Sequence, residues 1–200
     1  MAVLRDAACK KDGERDGSCG EESDKNHVRT RFRNDSYCCS QQDHKHGIVT
    51  DPPVDVDVVV ERAKSCEAQA IVITGGEPLL YPLGVLTQRL RKEGLEIFLE
   101  TSGTHPFSGE FDWVCLSPKR QLPPLDEAFG RAHELKVIIS SEDDFAWAEE
   151  NARRVGRYCR LYLQPEWSVY EDIMPKIVEY AKANPKWSIS VQTHKFMHIP

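Results

Sequence analysis

Short apolar runs and amphipathic stretches alternate along the chain from Ile48 onward. The run AIVIT at 70–74 is continuously apolar and largely β-branched and stops at two glycines, which is typical of a parallel strand buried on both faces. Five more strands are predicted at 95–101, 113–117, 134–140, 160–165 and 188–193. Helices are predicted at about 51–66, 82–93, 124–131, 142–155 and 169–183. This alternation predicts an α/β fold, a partial (open) parallel β/α barrel of about six strands.

Residues 1–47 fit neither a helical nor a strand period, because their few larger apolar residues are scattered. The segment carries no net charge, so residues 48–200 hold the entire −6 of the chain. We interpret 1–47 as an atypical polar leader and 48–200 as the barrel domain. Two interpretations of the leader stay open, a flexible polar segment and a loop organised by a bound metal.

The composition, with 40% hydrophobic and 29% charged residues, is typical of a soluble globular protein. The chain has no apolar stretch long enough to cross a bilayer, and its amino end lacks the apolar run of a secretory signal, so we expect a cytoplasmic protein. Reduced cysteines favour metal ligation, catalysis or core packing over disulfides. Cys66, Cys115 and Cys159 lie in apolar patterns, which predicts core packing. The acidic charge argues against general binding to nucleic acid or anionic lipid.

Small and polar residues follow the predicted strands. They read TGGEP at 74–78, ETSG at 100–103, SPK at 117–119, QPEW at 164–167 and QTHK at 192–195. Each string alone is explained as a satisfied turn. In parallel β/α folds, however, the carboxyl ends of the strands form the active-site mouth. The five strings together therefore predict a site at that edge.

Taken in order, these strings closely resemble the radical S-adenosylmethionine (SAM) enzymes and, within them, the 7-carboxy-7-deazaguanine synthase family of queuosine biosynthesis. The similarity is carried by ITGGEPLL at 73–80, LETSGT at 99–104, DWVCLSPK at 112–119, ELKVII at 134–139, LYLQPEW at 161–167 and SVQTHKFMHIP at 190–200. GGEP marks only the superfamily, whereas the SPK and QPEW loops and the ending are more specific. The resemblance extends from about Gly47 to the end of the chain.

The resemblance implies a radical ring contraction. A reduced 4Fe-4S cluster splits SAM to a 5′-deoxyadenosyl radical, which takes a hydrogen from 6-carboxy-5,6,7,8-tetrahydropterin. Rearrangement and loss of ammonia then give 7-carboxy-7-deazaguanine. The resemblance also implies a homodimer, a reductant such as flavodoxin or ferredoxin, and Mg²⁺ as a further metal.

Matched motifs carry the family's binding roles onto individual residues. The resemblance assigns SAM binding to Gly75, Gly76, Glu77, Ser102, Ser117, Pro118, Lys119, Gln164, Pro165, Glu166 and Trp167. The resemblance assigns pterin binding to Thr74, His194 and Pro200. It implies that the carboxylate of Pro200 accepts hydrogen bonds from the pterin ring. The family's magnesium site uses the threonine of a C-D-T motif, which has no clear counterpart here.

The amino-terminal quarter departs from the family's C-x3-C-x2-C pattern and has Cys19 and the adjacent Cys38 and Cys39 instead. Three thiolates hold three irons of a 4Fe-4S cluster and leave the fourth iron open for SAM. We take these three cysteines as the candidate cluster ligands. Three alternatives stay open. The first is a scrambled or out-of-frame leader attached to an otherwise intact domain. The second is a zinc-binding interaction module with Cys38, Cys39, His44 and His46 as ligands. The third is a domain that binds SAM and pterin but has lost the cluster and catalysis.

Overall fold

Strands and helices alternate along the described part of the chain, residues 29–32, 35–37, 56–65 and 67–197 of a computed structural model. The strands are β1 Arg29–Phe32, β2 Asp35–Tyr37, β3 Ala70–Thr74, β4 Glu96–Thr101, β5 Trp113–Leu116, β6 Glu134–Ile139, β7 Arg160–Pro165 and β8 Trp187–Ile189. The α-helices are α1 Val56–Ser65, α2 Gly84–Lys92, α3 Asp126–Arg131, α4 Asp143–Ala152, α5 Tyr170–Ala183 and α6 Thr193–Phe196. Short 3₁₀ helices occupy Pro78–Leu80 and Trp167–Val169.

The sheet is open, with the strand order β2-β1-β3-β4-β5-β6-β7-β8 among the described strands. Strands β3 to β8 are parallel and follow one another in chain order, with helices in most of the connections. The predicted fold class, a partial parallel β/α barrel of six strands, is therefore confirmed.

The chain divides into two compact units. The first contains the described residues up to Leu99 together with Ser108–Asp112, and the second contains Glu100–Phe107 and the chain from Trp113 onward. The predicted boundary near residue 47 lies in a stretch outside the described residues, and that division of the chain stays a prediction.

In the first unit, β3 pairs in parallel with β4, and β1 pairs antiparallel with both β2 and β3. The β1–β2 pair was not predicted, because RTRF and DSY show no alternation of apolar and polar residues. Their pairing uses backbone groups, which sequence periodicity does not report. The buried apolar residues of this unit are Val60, Ala63, Ile71, Ile73, Leu79, Leu83, Leu86, Leu90, Leu95, Ile97 and Leu99.

Asp112, the last residue of the first unit, is hydrogen-bonded to β4. Its backbone N–H donates to the carbonyl of Ile97 at 2.8 Å, and its Oδ2 accepts from the Ile97 N–H at 2.8 Å. Its Oδ1 lies 2.8 Å from Nη2 of Arg91 on α2. One aspartate thus satisfies both backbone groups of a buried strand residue and joins that strand to a helix.

In the second unit, β5 to β8 are in parallel register. Leu116 on β5 lies opposite Leu135 on β6, which lies opposite Leu161 on β7, which in turn lies opposite Trp187 on β8. This apolar row crosses four strands. The buried core around it consists of Leu116, Ala128, Phe129, Leu135, Val137, Ile139, Phe145, Ala148, Leu163, Ile173, Ile177 and Trp187.

Glu149 on α4 joins three elements of the second unit. Its Oε1 accepts hydrogen bonds from Tyr180 Oη on α5 at 3.0 Å and from Trp187 Nε1 on β8 at 2.7 Å. Lys186 lies 2.5 Å from its other oxygen. Burial raises the pKa of Glu149, but the bonds from Lys186, Trp187 and Tyr180 outweigh it and hold that pKa below the usual value.

The last strand differs from the prediction of 188–193. Strand β8 ends at Ile189, and residues 193–196 form the short helix α6, where no helix was expected. The Ser190 N–H donates to the carbonyl of Leu163 at 2.9 Å. The next bond of a parallel ladder would come from the N–H of residue 165, but Pro165 has none. The chain therefore leaves the sheet after Ser190.

The predicted core cysteines have different outcomes. Cys115 is buried on β5, as predicted. Cys159 directly precedes β7 and is only partly buried, but it packs against the buried core of the second unit. Burial raises the pKa of the Cys159 thiol to about 11. Cys66 lies outside the described residues.

Gly103, after β4, is predicted to tolerate no side chain. Its φ is +73°, and a Cβ would lie 2.6 Å from Leu116 Cδ1 and 2.7 Å from Ala128 Cβ. Because both contacts are in the core, Gly103→Ala should lower the free energy of unfolding by about 3 kcal/mol. Urea denaturation measures this change.

The matched control is Gly94→Ala. Gly94 has φ +77° but no heavy atom within 4 Å of an added Cβ, so the loss should be only about 1 kcal/mol. Equal losses in the two variants would mean that backbone conformation alone, and not packing, requires glycine at 103.

Candidate active site at the strand ends

The loop after β3 combines exposed glycines with a capping carboxylate. Gly75 adopts φ +147°, a conformation that favours glycine, and both Gly75 and Gly76 are exposed. Glu77 Oε1 accepts a hydrogen bond from the Leu79 N–H at 3.0 Å and so caps the 3₁₀ helix that follows. Thr74 is half-buried at the end of the strand. The loop therefore presents backbone at its glycines, while Glu77 supports the turn.

The loop after β4 is held by hydroxyl groups. Thr101 is buried, and its Oγ1 accepts from the Gly103 N–H at 2.9 Å. Ser102 Oγ lies 3.0 Å from Thr104 Oγ1, which lies 2.9 Å from His105 Nδ1. Ser102, a predicted SAM-binding residue, thus belongs to a short chain of polar contacts.

The loop after β5 presents a lysine. The Ser117 N–H donates to the Thr101 carbonyl at 2.8 Å, and Pro118 is buried. Lys119 is exposed, and its Nζ donates to Ser117 Oγ at 3.3 Å. This loop carries an ammonium group and a hydroxyl, both suited to an anionic partner.

Asp144, which the sequence analysis did not single out, connects the ends of β5 and β6. Its Oδ2 accepts from the N–H groups of Ser140 and Ser141 at 2.8 and 2.9 Å and from Ser140 Oγ at 2.8 Å. Its Oδ1 accepts from Arg120 Nε at 2.9 Å. The pattern SSEDD directly after a strand, with a carboxylate shortly after two serines, was a usable signal for such a cap.

The loop after β7 is also capped by a carboxylate. Glu166 accepts hydrogen bonds from the Ser168 N–H at 2.9 Å and from the Ser168 hydroxyl, which lowers the pKa of Glu166. Gln164 is buried, and its Oε1 accepts from Ser190 Oγ at 3.1 Å. Pro165 is buried next to it. Of the four QPEW residues, only Trp167 is exposed.

Trp167 forms an aromatic cluster with two neighbours. Its ring centroid lies 5.5 Å from that of Tyr170 and 5.1 Å from that of Phe196, and Lys195 Nζ lies 4.9 Å from the indole. A cleft of about 280 Å³ opens here, lined in part by Glu171. It offers aromatic faces with polar groups at its margin.

Ionisable side chains also lie along β4, β5 and β6. Lys136 Nζ is 3.3 Å from Glu100 Oε1, and the Cys115 thiol donates to Glu134 Oε1 at 3.4 Å. Burial raises the pKa of Cys115 well above its usual value, so this thiol is protonated. Burial also opposes the charge on Lys136, but its neighbours outweigh that effect and raise its pKa.

The predicted metal ligands Cys19, Cys38 and Cys39 lie outside the described residues, as do His44 and His46 of the zinc alternative and Pro200. For His194, the structure describes the backbone but not the side chain. Among the residues that are described, no group of three or more His, Cys, Asp or Glu side chains is placed to hold a metal ion. Within that same part of the chain, no helix has the length and apolar character needed to span a membrane.

No protein-family profile matches the chain. It is 52% identical over 149 residues to the 7-carboxy-7-deazaguanine synthase of Flavobacterium psychrophilum, covering 74% of this chain and 70% of that protein. It is 43% identical over 148 residues to the enzyme of that name from Synechocystis, covering 74% and 71%. The crystal structure of QueE from Escherichia coli matches with a TM-score of 0.61 and 32% identity. That match covers 69% of this chain and 62% of the QueE chain.

The open parallel β/α barrel, with GGEP, SPK and QPEW loops at the carboxyl ends of β3, β5 and β7, defines a protein of the radical SAM class. Within that class, the chain belongs to the 7-carboxy-7-deazaguanine synthase family. The predicted recognition is confirmed. The roles predicted for individual residues stay predictions.

Asp144 should make stability depend on acid pH. Burial raises the pKa of Asp144, but the bonds from Ser140, Arg120 and Ser141 outweigh burial and lower that pKa from 3.8 to about 2. The pKa of Asp144 is lower in the folded state than in the unfolded state. At pH values above the unfolded-state pKa, the carboxylate therefore contributes about 2 kcal/mol to the free energy of unfolding. This contribution is lost as the pH falls toward the folded-state pKa.

The measurement is the free energy of unfolding of the wild type and of Asp144→Asn between about pH 5 and about pH 2. At about pH 5 the wild type should have the larger free energy of unfolding, and its advantage over Asp144→Asn should shrink as the pH is lowered to about 2. A difference that stays constant with pH would contradict the depressed pKa.

Proposed function

We propose that this chain catalyses the ring contraction of 6-carboxy-5,6,7,8-tetrahydropterin to 7-carboxy-7-deazaguanine, with loss of ammonia. The observation that carries the proposal is the 52% identity to the Flavobacterium enzyme over 149 residues. The placement of the GGEP, SPK and QPEW strings at strand ends supports it, because these are the positions where β/α folds bind ligands. The bound cluster and SAM would supply the hydrogen abstraction that starts the reaction.

The first unit offers backbone groups to SAM. Gly75 and Gly76 are exposed and have no side chains, so a ligand can approach their carbonyl groups closely. A carbonyl oxygen is a suitable acceptor for the methionine ammonium of SAM. In this proposal Glu77 acts through the turn that it caps, and Thr74 contacts the pterin.

The second unit offers charge and aromatic surface. Lys119 is exposed with Ser117 beside it, a pair suited to the carboxylate of SAM. Trp167 has an exposed ring that packs against Tyr170 and Phe196, and such a ring suits the adenine base. We assign Gln164, Pro165 and Glu166 to the same part of the SAM site. We assign Ser102 and Pro118 to the walls of the SAM site, and His194 and Pro200 to the pterin.

The remaining cofactor and partner assignments are also proposals. Cys19, Cys38 and Cys39 would hold a 4Fe-4S cluster, because three thiolates leave one iron free for SAM. The reaction would need an electron from a reductant such as flavodoxin or ferredoxin, and we propose a homodimer by analogy with the family. Mg²⁺ stays a prediction of the resemblance, since the C-D-T threonine has no counterpart.

Gly76→Val should weaken SAM binding at least about tenfold, because its side chain would occupy the space where the backbone meets the ligand. Gly76 does not adopt a positive φ, so valine introduces no strain of that kind in the backbone. The measurement is calorimetric titration of the anaerobically reconstituted protein with SAM, with circular dichroism as a check on folding.

The matched control is Gly84→Val in the same unit, where an added Cβ meets nothing within 4 Å. It should bind SAM like the wild type. If Gly76→Val also retained wild-type affinity, the assignment of this loop to SAM would be refuted.

Replacing both Cys38 and Cys39 with alanine should remove the bound iron, the brown colour and the cleavage of SAM, because one thiolate cannot hold the cluster. Iron and sulfide assays after anaerobic reconstitution measure the loss. Cys159→Ala is the control, since this half-buried thiol precedes β7 and packs against the core, and its loss should leave the iron content unchanged. Full iron content in the double variant would contradict the cluster assignment.

A further inference from the structure

The loop after β5 is anchored at both ends. At its start, the Ser117 N–H donates to the Thr101 carbonyl at 2.8 Å. At its end, Arg120 is bound to α4, as described next. Lys119 lies between the two anchors, with its Nζ 3.3 Å from Ser117 Oγ. Consecutive Cα atoms are about 3.8 Å apart, so an anchor at residue 120 restricts Lys119 directly.

Arg120 makes three kinds of contact with α4. Its Nε and Nη2 lie 2.9 and 2.8 Å from Asp144 Oδ1, and Nη2 donates to the Asp143 carbonyl at 3.0 Å. Its guanidinium lies 4.9 Å from the ring centroid of Trp147. The fork shape of the guanidinium makes such a combination directional, so it fixes orientation as well as distance.

Asp144 is itself buried and held by several hydrogen bonds, which makes it an effective anchor. Its Oδ2 accepts from the backbone N–H groups of both Ser140 and Ser141, and the residue is only 4% exposed. These serines directly follow β6. The position of Arg120 is therefore set by the end of a neighbouring strand rather than by a mobile surface group.

Arg120 supplies only part of the stabilisation of the Asp144 carboxylate, to which the bonds from Ser140 contribute more. The Arg120 side chain is 47% exposed, and ion pairs at such positions contribute little to the free energy of folding. Orientation of a ligand-binding loop is a better explanation, because pre-organised loops spend less of their binding free energy on ordering.

We propose that Arg120 is a positioning residue, which through Asp144 and Trp147 holds Ser117 and Lys119 in the arrangement that binds the carboxylate of SAM. The inference rests on the proposed function, in which this loop contacts SAM. It adds to that function a group that does not itself touch the ligand.

The test uses the full chain, anaerobically reconstituted, and measures SAM affinity by calorimetry and amide hydrogen exchange at residues 117, 119 and 120. Arg120→Ala should weaken SAM binding about tenfold and speed exchange in the loop. Arg120→Lys should recover part of the affinity, because lysine keeps the charge but lacks the fork.

Arg154→Ala is the matched control. Arg154 also pairs with a carboxylate, Asp126 at 2.6 Å, and lies 3.7 Å from the ring centroid of Phe129, with its side chain 40% exposed. It makes the same kinds of contact away from the Ser117–Arg120 loop. The control should retain wild-type SAM affinity, and because the Asp126 side chain is 98% exposed it should lose little thermal stability.

Two results would overturn the inference. Wild-type SAM affinity in Arg120→Ala would do so, and so would equal weakening in the Arg120 and Arg154 variants, which would indicate a general structural effect. Failure of the unaltered chain to bind SAM would instead overturn the proposed function, and this inference with it. The wild-type titration therefore distinguishes the two kinds of failure.

Discussion

Backbone N–H groups that follow the last residue of a parallel strand have no further partner in the sheet, and the loops of this protein are built around that constraint. After β3, Glu77 accepts from Leu79, and after β4, Thr101 accepts from Gly103. After β6, Asp144 accepts from Ser140 and Ser141, and after β7, Glu166 accepts from Ser168. In each of these four loops, a nearby side-chain oxygen accepts the hydrogen bond that no neighbouring strand can accept. This bond keeps the turn in one conformation.

This arrangement changes how the motifs are understood. The glutamates of GGEP and QPEW, which the resemblance assigns to SAM binding, cap the turns in which they occur. The exposed neighbours of these two caps are Gly75 and Gly76 in the first loop and Trp167 in the second.

The motifs that resemble the family begin at about Gly47, after the segment with the unusual cysteine spacing. The identity to curated relatives covers about three quarters of the chain, and the strand-end loops are well defined by their contacts. The cluster chemistry would depend on Cys19, Cys38 and Cys39, which do not follow the family's spacing. A protein with an intact SAM site and an altered cluster segment would bind SAM without cleaving it, so binding and cleavage must be measured separately.

The sequence by itself determined the fold class, the family and most strand boundaries, because a buried parallel strand such as 70–74 is a continuous apolar run that ends at small or polar residues. It did not reveal the β1–β2 pair, the early end of β8 or the Arg120–Asp144 contact. Each of these depends on which residues meet across space. Backbone pairing, a ladder bond that Pro165 cannot donate, and an ion pair between residues 24 positions apart leave no local periodicity, and only the tertiary structure decided them.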